Sequence, residues 1–371
     1  MPTPEIFLGD TSLDLTWPDG SQGRYAYIWL RDNCPSAFHP ETEERLLDLL
    51  SLPDTPRPAR ADLEGAALHV TWAEDGHESR FALDWLRAHR PGQRTADPAA
   101  VAPHVWTADL GPAGIPRHAA TDLAESDTAL RDWLRDTVRY GLSLVTGVPA
   151  EPGAGAKIAR RIHFLRETNF GVTFEVLNKP DPNNIAYTAH ALTLHTDLPN
   201  QELPPGYQFL HCLANDAEGG GSVFADGYAI ARALRERDPE AFEMLSTVPV
   251  PFRFHDRTDD IRIWRPVIGL DRDGTVAEVS WSVHLSASFD MDPEIMEAYY
   301  RSYRAFMALT RDTGFQVTLK LAAGEMAVFD NRRVLHGREA FDPTTGFRHL
   351  QGCYVDRGDL LSRLRTLSRN G

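Results

Sequence analysis

Three side chains from two remote points of the chain constrain it most. His195 and Asp197 lie in Leu194-His195-Thr196-Asp197-Leu198-Pro199, and His336 lies in Val334-Leu335-His336-Gly337-Arg338. Residues two apart in a β-strand share a face, so a His-x-Asp at a strand end aims an imidazole and a carboxylate at one point. A His on a later strand would complete the facial set of two imidazoles and one carboxylate that binds ferrous iron and keeps open positions. Spacing alone is a weak signal. With 14 His and 53 acidic residues in 371 positions, about two His-x-acid triplets are expected by chance, and two occur, the other being His39-Pro40-Glu41. Two satisfied core histidines and a solvated aspartate fit that spacing as well. Context separates the triplets. His195 stands between the strand-like run Asn184–Thr188 and a strand from Tyr207 to Leu213. His336 follows the apolar run Met326-Ala327-Val328-Phe329 and a turn at Asp330-Asn331.

The length allows about two domains and a sizeable core. A net charge of −15 argues against nucleic acid, whose backbone calls for clustered Lys and Arg. Three cysteines (Cys34, Cys212, Cys353) are too few for a disulfide framework. No signal peptide opens the sequence and no apolar run approaches the length of a membrane span. Those features together predict a cytoplasmic protein with no membrane partner.

Short strands with turns between them open the chain: Leu13–Trp17, then Arg24–Leu30, then Ala67–Trp72 and Glu78–Leu83, with a short helix at Trp85–Arg87. Residues 91–116, rich in Pro, Gly and Ala, read as a linker. Ser126 or Asp127 could cap a helix over Thr128–Tyr140, with Leu130, Trp133, Leu134 and Val138 on one face. Gly141–Gly147 reads as a buried strand. Further helices are predicted over Gly155–Leu165, about Ala229–Leu245 and Pro293–Arg311, and a hairpin over Ile261–Ser282 turning at Asp271–Gly274. Many short strands with a few flanking helices make the chain mainly β, with a jelly roll as the expected core.

At this point the motifs resemble a known family. Asn183-Asn184-Ile185-Ala186-Tyr187-Thr188, His195-Thr196-Asp197, Pro204-Pro205-Gly206 and Leu210-His211-Cys212 are similar to the iron and 2-oxoglutarate dioxygenases that include gamma-butyrobetaine hydroxylase and trimethyllysine hydroxylase. So are Gly219-Gly220-Gly221-Ser222, Leu335-His336-Gly337-Arg338, Arg348–Tyr354 and Ser362-Arg363-Leu364-Arg365, with Trp29–Cys34 in the N-terminal part. The resemblance spans nearly the whole chain. It implies a small β-rich domain over 1–95 and a double-stranded β-helix (jelly-roll) catalytic domain over 96–371. It also implies Fe(II) on His195, Asp197 and His336, and 2-oxoglutarate and O2 as co-substrates. Arg348 would offer a bidentate fork to the far carboxylate of the 2-oxoglutarate, and Ser222 would add a hydroxyl. A homodimer is expected on the same ground.

For the substrate, the family boxes a trimethylammonium group in aromatic rings, a cation–π contact of about 0.5–2 kcal/mol. The matching positions are Phe170, Phe174, Tyr187 and Tyr354. The family tyrosine after the His-x-Asp is Leu198 here. Of two family asparagines that hold the anionic end of butyrobetaine, one matches Asn184. The other falls in Trp281-Ser282-Val283-His284, which holds no Asn. His284, Ser286, Arg262 and Arg265 are the alternative donors. That departure puts 2-(trimethylammonio)ethylphosphonate first among the expected substrates, hydroxylated at C1, and gamma-butyrobetaine, giving carnitine, second. Family zinc in the small domain uses three Cys and one His. Here Cys34 and His77 match, Ser36 replaces a Cys and His39 lies close, so structural zinc is not expected. A non-enzymatic jelly-roll binding protein and a zinc hydrolase are the rival classes.

Overall fold

The computed structural model describes residues 3–178 and 188–369. Two compact units divide at Asp97/Pro98. The first holds two three-stranded antiparallel sheets. One is formed by Glu5–Leu8, Ser12–Thr16 and Gln22–Ala26, the other by Pro58–Glu64, Ala67–Trp72 and Glu78–Ala82. Alternation sets their inner faces, so Leu13, Leu15, Tyr25, Leu68, Val70, Trp72 and Phe81 are buried in one core. The second expected strand stops early. Tyr27–Asp32 is a short helix that buries Tyr27, Leu30 and Arg31.

Among the described residues, ten strands make the two main sheets of the second unit. These are β1 Arg117–Ala119, β2 Leu142–Thr146, β3 Thr173–Leu177, β4 Leu192–His195, β5 Tyr207–Asn215, β6 Ser222–Asp226, β7 Gln316–Leu319, β8 Met326–Asp330, β9 Val334–Arg338 and β10 Arg348–Val355. They form a six-stranded sheet, ordered β1-β2-β8-β5-β10-β3, and a four-stranded sheet, ordered β4-β9-β6-β7. Phe224 from the small sheet meets Phe329 from the large one in a shared core with Leu144, Val317 and Leu350. This is the expected jelly roll, mainly β with helices outside.

Helix α1, Asp127–Tyr140, begins where Ser126 Oγ accepts from Ala129 N and ends at Gly141 with φ 68°. Its Trp133 is buried and donates to Ser143 on β2. The helix expected over Gly155–Leu165 is shorter, Ala154–Ala159. The one expected over Ala229–Leu245 is two, α2 Gly227–Arg237 and α3 Pro239–Thr247. Asp238 caps α3, and the missing N–H of Pro239 cannot continue α2. Helix α4 spans Pro293–Arg311 as expected, and α5, Arg357–Arg369, closes the chain. The single hairpin expected over Ile261–Ser282 is split. Asp260–Arg265 pairs back on Val250–His255, and Ile268–Leu270 pairs with Val276–Val279.

A buried ion pair fixes the turn that leads into β9. Arg333 and Asp226 are 2.7 Å apart with side chains 2% and 0% exposed. Arg333 also donates to the carbonyls of His104 and Arg139, and Asp226 accepts from Trp106 N and Tyr228 N. Such a pair stabilises only when every partner is present. Asp226→Ala is therefore expected to cost about 3–5 kcal/mol, measured by urea unfolding. An unchanged midpoint would show that the buried guanidinium is not held by this carboxylate.

Candidate active site

His195 and His336 are direct cross-strand neighbours on β4 and β9. Their rings lie 4.3 Å apart between centroids. β4 ends at His195, so Asp197 is not a strand residue as the spacing rule assumed. It lies just beyond, in the loop that continues through Leu198, whose φ of 55° is left-handed. The carboxylate still reaches the pair: Asp197 Oδ1 is 3.2 Å from His195 Nε2 and 3.6 Å from His336 Nε2. One ligand atom from each of the three falls within 4.8 Å of the others.

The donor set suits a cation. His195 Nδ1 lies 2.9 Å from the Thr193 carbonyl, which can only accept, so Nδ1 donates there and Nε2 is the nitrogen turned toward Asp197. Burial, then His195, pushes His336 down to about 3. Burial alone would raise the Asp197 carboxyl. The nearby imidazoles of His336 and His195, with a hydrogen bond from Tyr354, outweigh it and hold the carboxyl well below the usual range. Two imidazole nitrogens and one carboxylate oxygen within 4.8 Å of one another are satisfied together by a divalent ion, and these donor types suit ferrous iron.

These residues open on a cavity of about 1010 Å³, counted out to its mouth. Arg348 and Ser222 line it, both 5% exposed. No carboxylate among the described residues pairs with Arg348; its Nε donates weakly to the Gly220 carbonyl, at 3.3 Å. Burial, then Arg338, pushes Arg348 down to about 10, so the guanidinium stays charged at neutral pH. Arg338, which the sequence reading passed over, lines the same cavity opposite Ser222 in the ladder. Its Nη2 donates to the carbonyls of Thr188 and His190. The two guanidiniums lie 5.0 and 5.7 Å from the Phe341 ring. A dianion would relieve this crowding of like charge.

Phe170, Phe174 and Tyr354 all line the cavity, and Phe174 stacks on Tyr354 at 5.1 Å. Tyr187 and Asn184 lie outside the described residues. Sequence reading missed Phe254, which comes from the Val250–Arg265 hairpin and meets Phe170 edge-on at 5.4 Å. It also missed Gln208, buried in the wall, whose Oε1 has no partner among the described residues. Tyr354 does more than wall the cavity: its hydroxyl donates to Asp197 Oδ2 at 2.7 Å. Leu198 and His284 are lining residues as expected. A clasp places His284, since Thr196 N donates to Trp281 O and Trp281 N to Thr196 Oγ1. His284 therefore meets His195 edge-on at 4.8 Å. The other alternative donors are diverted. Arg265 serves the carbonyls of Gln201 and Glu202, Arg262 approaches Asp260, and Ser286 donates to Ser282 O.

In the first unit Cys34 Sγ, Ser36 Oγ and His77 Nε2 form a triangle of 3.1, 3.0 and 3.5 Å. His39 Nδ1 instead accepts from Glu41 N and Thr42 N in its own turn.

A jelly roll presenting two His, one Asp and a buried Arg to one cavity is the arrangement of the iron- and 2-oxoglutarate-dependent dioxygenases. Residues 106–354 match the model of the taurine catabolism dioxygenase TauD, TfdA family, and residues 8–96 match the gamma-butyrobetaine hydroxylase-like N-terminal model. The gamma-butyrobetaine dioxygenase of Pseudomonas sp. is 45% identical over 97% of this chain and 94% of its own. The Homo sapiens enzyme of that name is 30% identical over 98% and 96%. The mitochondrial trimethyllysine dioxygenase of Rattus norvegicus is 32% identical over 93% and 83%. Among solved structures, a taurine dioxygenase from Burkholderia xenovorans aligns with TM-score 0.51 at 16% identity, over 69% of this chain and 90% of its own. An asparagine oxygenase solved with Fe(II), hydroxyasparagine and succinate aligns with TM-score 0.50 at 19% identity, over 62% and 79%. At such identity the two structures show the fold alone. The chain belongs to the gamma-butyrobetaine dioxygenase family, within the wider TauD, TfdA family, and is an Fe(II)- and 2-oxoglutarate-dependent dioxygenase.

Gly220 has φ 70°, and a Cβ there would come within 3.0 Å of Arg348 Cδ and 3.1 Å of its Nε. Gly220→Ala is thus expected to lower stability by about 1–2 kcal/mol and to raise the KM for 2-oxoglutarate. A variant with the wild-type KM would show that this backbone does not seat Arg348.

Proposed function

We propose that the chain hydroxylates a small trimethylammonium zwitterion, and that gamma-butyrobetaine, giving carnitine, is its substrate. The observation that carries the substrate is the 45% identity, over almost the whole of both chains, to an enzyme named for it. That outweighs the order suggested by the missing asparagine alone. His195, Asp197 and His336 would hold the iron, and Arg348 with Ser222 the far carboxylate of 2-oxoglutarate. Phe170, Phe174, Tyr187 and Tyr354 would box the ammonium head, with Leu198 at its edge and Asn184 and His284 toward the anionic end.

With O2 and 2-oxoglutarate, the bound iron supplies the oxidant that places one oxygen atom on the substrate and one in succinate as CO2 leaves. The chain's own part is placement. Arg348 would hold the oxo acid at the end of the cavity it shares with Arg338, and the rings would exclude water and orient the cation. Tyr354 donates to Asp197 Oδ2 and so turns Oδ1 toward the two imidazoles.

Residues 1–95 are assigned to the small domain and 96–371 to the catalytic one. The contact boundary and the two family matches support that division. A homodimer and a cytoplasmic location rest on family resemblance and composition. No helix among the described residues is long and apolar enough to cross a membrane.

His284 at the cavity wall, in a stretch that holds no Asn where the family has one, favours 2-(trimethylammonio)ethylphosphonate as a second candidate. Succinate release with Fe(II), 2-oxoglutarate and each compound decides between them. Butyrobetaine is expected to turn over the faster, and turnover of the phosphonate alone would reverse the assignment. Arg348→Met is expected to raise the KM for 2-oxoglutarate by about 10–100-fold through loss of a charged bidentate contact, with iron binding retained. Phe174→Ala is expected to weaken substrate binding by about 0.5–2 kcal/mol. Unchanged binding would misplace the aromatic box.

A further inference from the structure

We propose that Asn331 is the positioning residue that holds the main chain of Asp197 in register with the two imidazoles, an assignment that rests on Asp197 being a metal ligand. Asn331 is fully buried in the turn between β8 and β9, five residues before His336. Its side chain grips both backbone groups of Asp197. Oδ1 accepts from Asp197 N at 2.6 Å, and Nδ2 donates to Asp197 O at 2.9 Å. The second Nδ2 proton goes to Pro205 O at 3.1 Å, and Asn331 N donates to Gly206 O at 2.8 Å.

This grip replaces a missing strand. The β4–β9 ladder ends at the His195–His336 pair, so Asp197 has no partner strand at that point. An amide side chain carries one acceptor and two donors, the complement of one residue's N–H and C=O with a donor to spare. The next residue is under strain, because Leu198 holds a left-handed φ of 55° with a branched side chain. Without the amide, the chain could relax that angle and swing the carboxylate away. Tyr354 orients the carboxylate through Oδ2, whereas Asn331 grips the Asp197 backbone. The two controls are therefore separate, one on the main chain and one on the side chain.

The short side chains that could replace it lose part of this set. Aspartate keeps the acceptor but turns a second acceptor on the carbonyls of Asp197 and Pro205. Serine reaches neither pair, and leucine strands all three backbone groups. Asn331 also belongs to the turn that feeds β9. The same turn therefore fixes two of the three ligands, Asp197 through the amide and His336 through the strand.

The test is an anaerobic calorimetric titration with Mn(II), used as a redox-quiet probe, on the full chain. Wild type is expected to bind one equivalent and Asp197→Ala none. Asn331→Ser is expected to bind about 10–100-fold more weakly. At saturating iron, its KM values for 2-oxoglutarate and substrate should stay near wild type while kcat falls. Adding Leu198→Gly, which removes the strain, should recover part of the lost metal affinity, which a merely structural role would not. Should Asn331→Ser fail to fold, Asn331→Asp keeps the acceptor and carries the same expectation. Wild-type Mn(II) affinity in a folded Asn331 variant would overturn the proposal. Wild-type affinity in Asp197→Ala would instead overturn the metal site itself.

Discussion

Everything in the catalytic unit depends on two imidazoles and one carboxylate sharing a single point in a nearly dry wall. His195 and His336 are both less than a tenth exposed, and the Asp197 side chain only a fifth. Such a cluster is costly in an apolar barrel unless its charge is matched. A jelly roll solves the geometry because it brings two remote segments together as adjacent strands, so that the two histidines face each other across one ladder. The carboxylate cannot be a third ladder residue, and it is set just past the strand end, where the backbone must be pinned by other means.

The cavity behind that point is divided by charge. One end carries two buried guanidiniums against the Phe341 ring, an arrangement suited to a small dianionic acid. Phe170, Phe174, Phe254 and Tyr354 supply aromatic wall without a charged group of their own, which suits a quaternary cation that has no N–H to donate. The polarity of the cavity thus matches one anionic co-substrate and one cationic substrate, with the redox centre held in the same wall.

Much of this was legible in the sequence. Donor chemistry is carried by residue type, so the grouping of His195, Asp197 and His336, with Arg348 in the same cavity, could be read from motifs. The jelly roll followed from short strands and few helices. What stayed hidden depends on register between distant segments. Phe254 reaches the cavity because Val250–His255 pairs with Asp260–Arg265, a second hairpin before the one that turns at Asp271–Gly274 as expected. Gln208 and Arg338 looked like ordinary strand positions until the sheet order turned them inward. Asn331 sits in an unremarkable Asp-Asn turn, and only the fold puts its amide on Asp197. The break between α2 and α3 was readable in principle, since Asp238-Pro239 is a stop and a cap in one step.

Anomalous diffraction at the iron edge, from crystals grown anaerobically with Fe(II), tests the central claim most directly. The account predicts one strong peak shared by His195 Nε2, Asp197 and His336 Nε2, in the wall of the cavity that Arg348 also lines. A peak elsewhere, or none at that locus in iron-replete crystals, would contradict it.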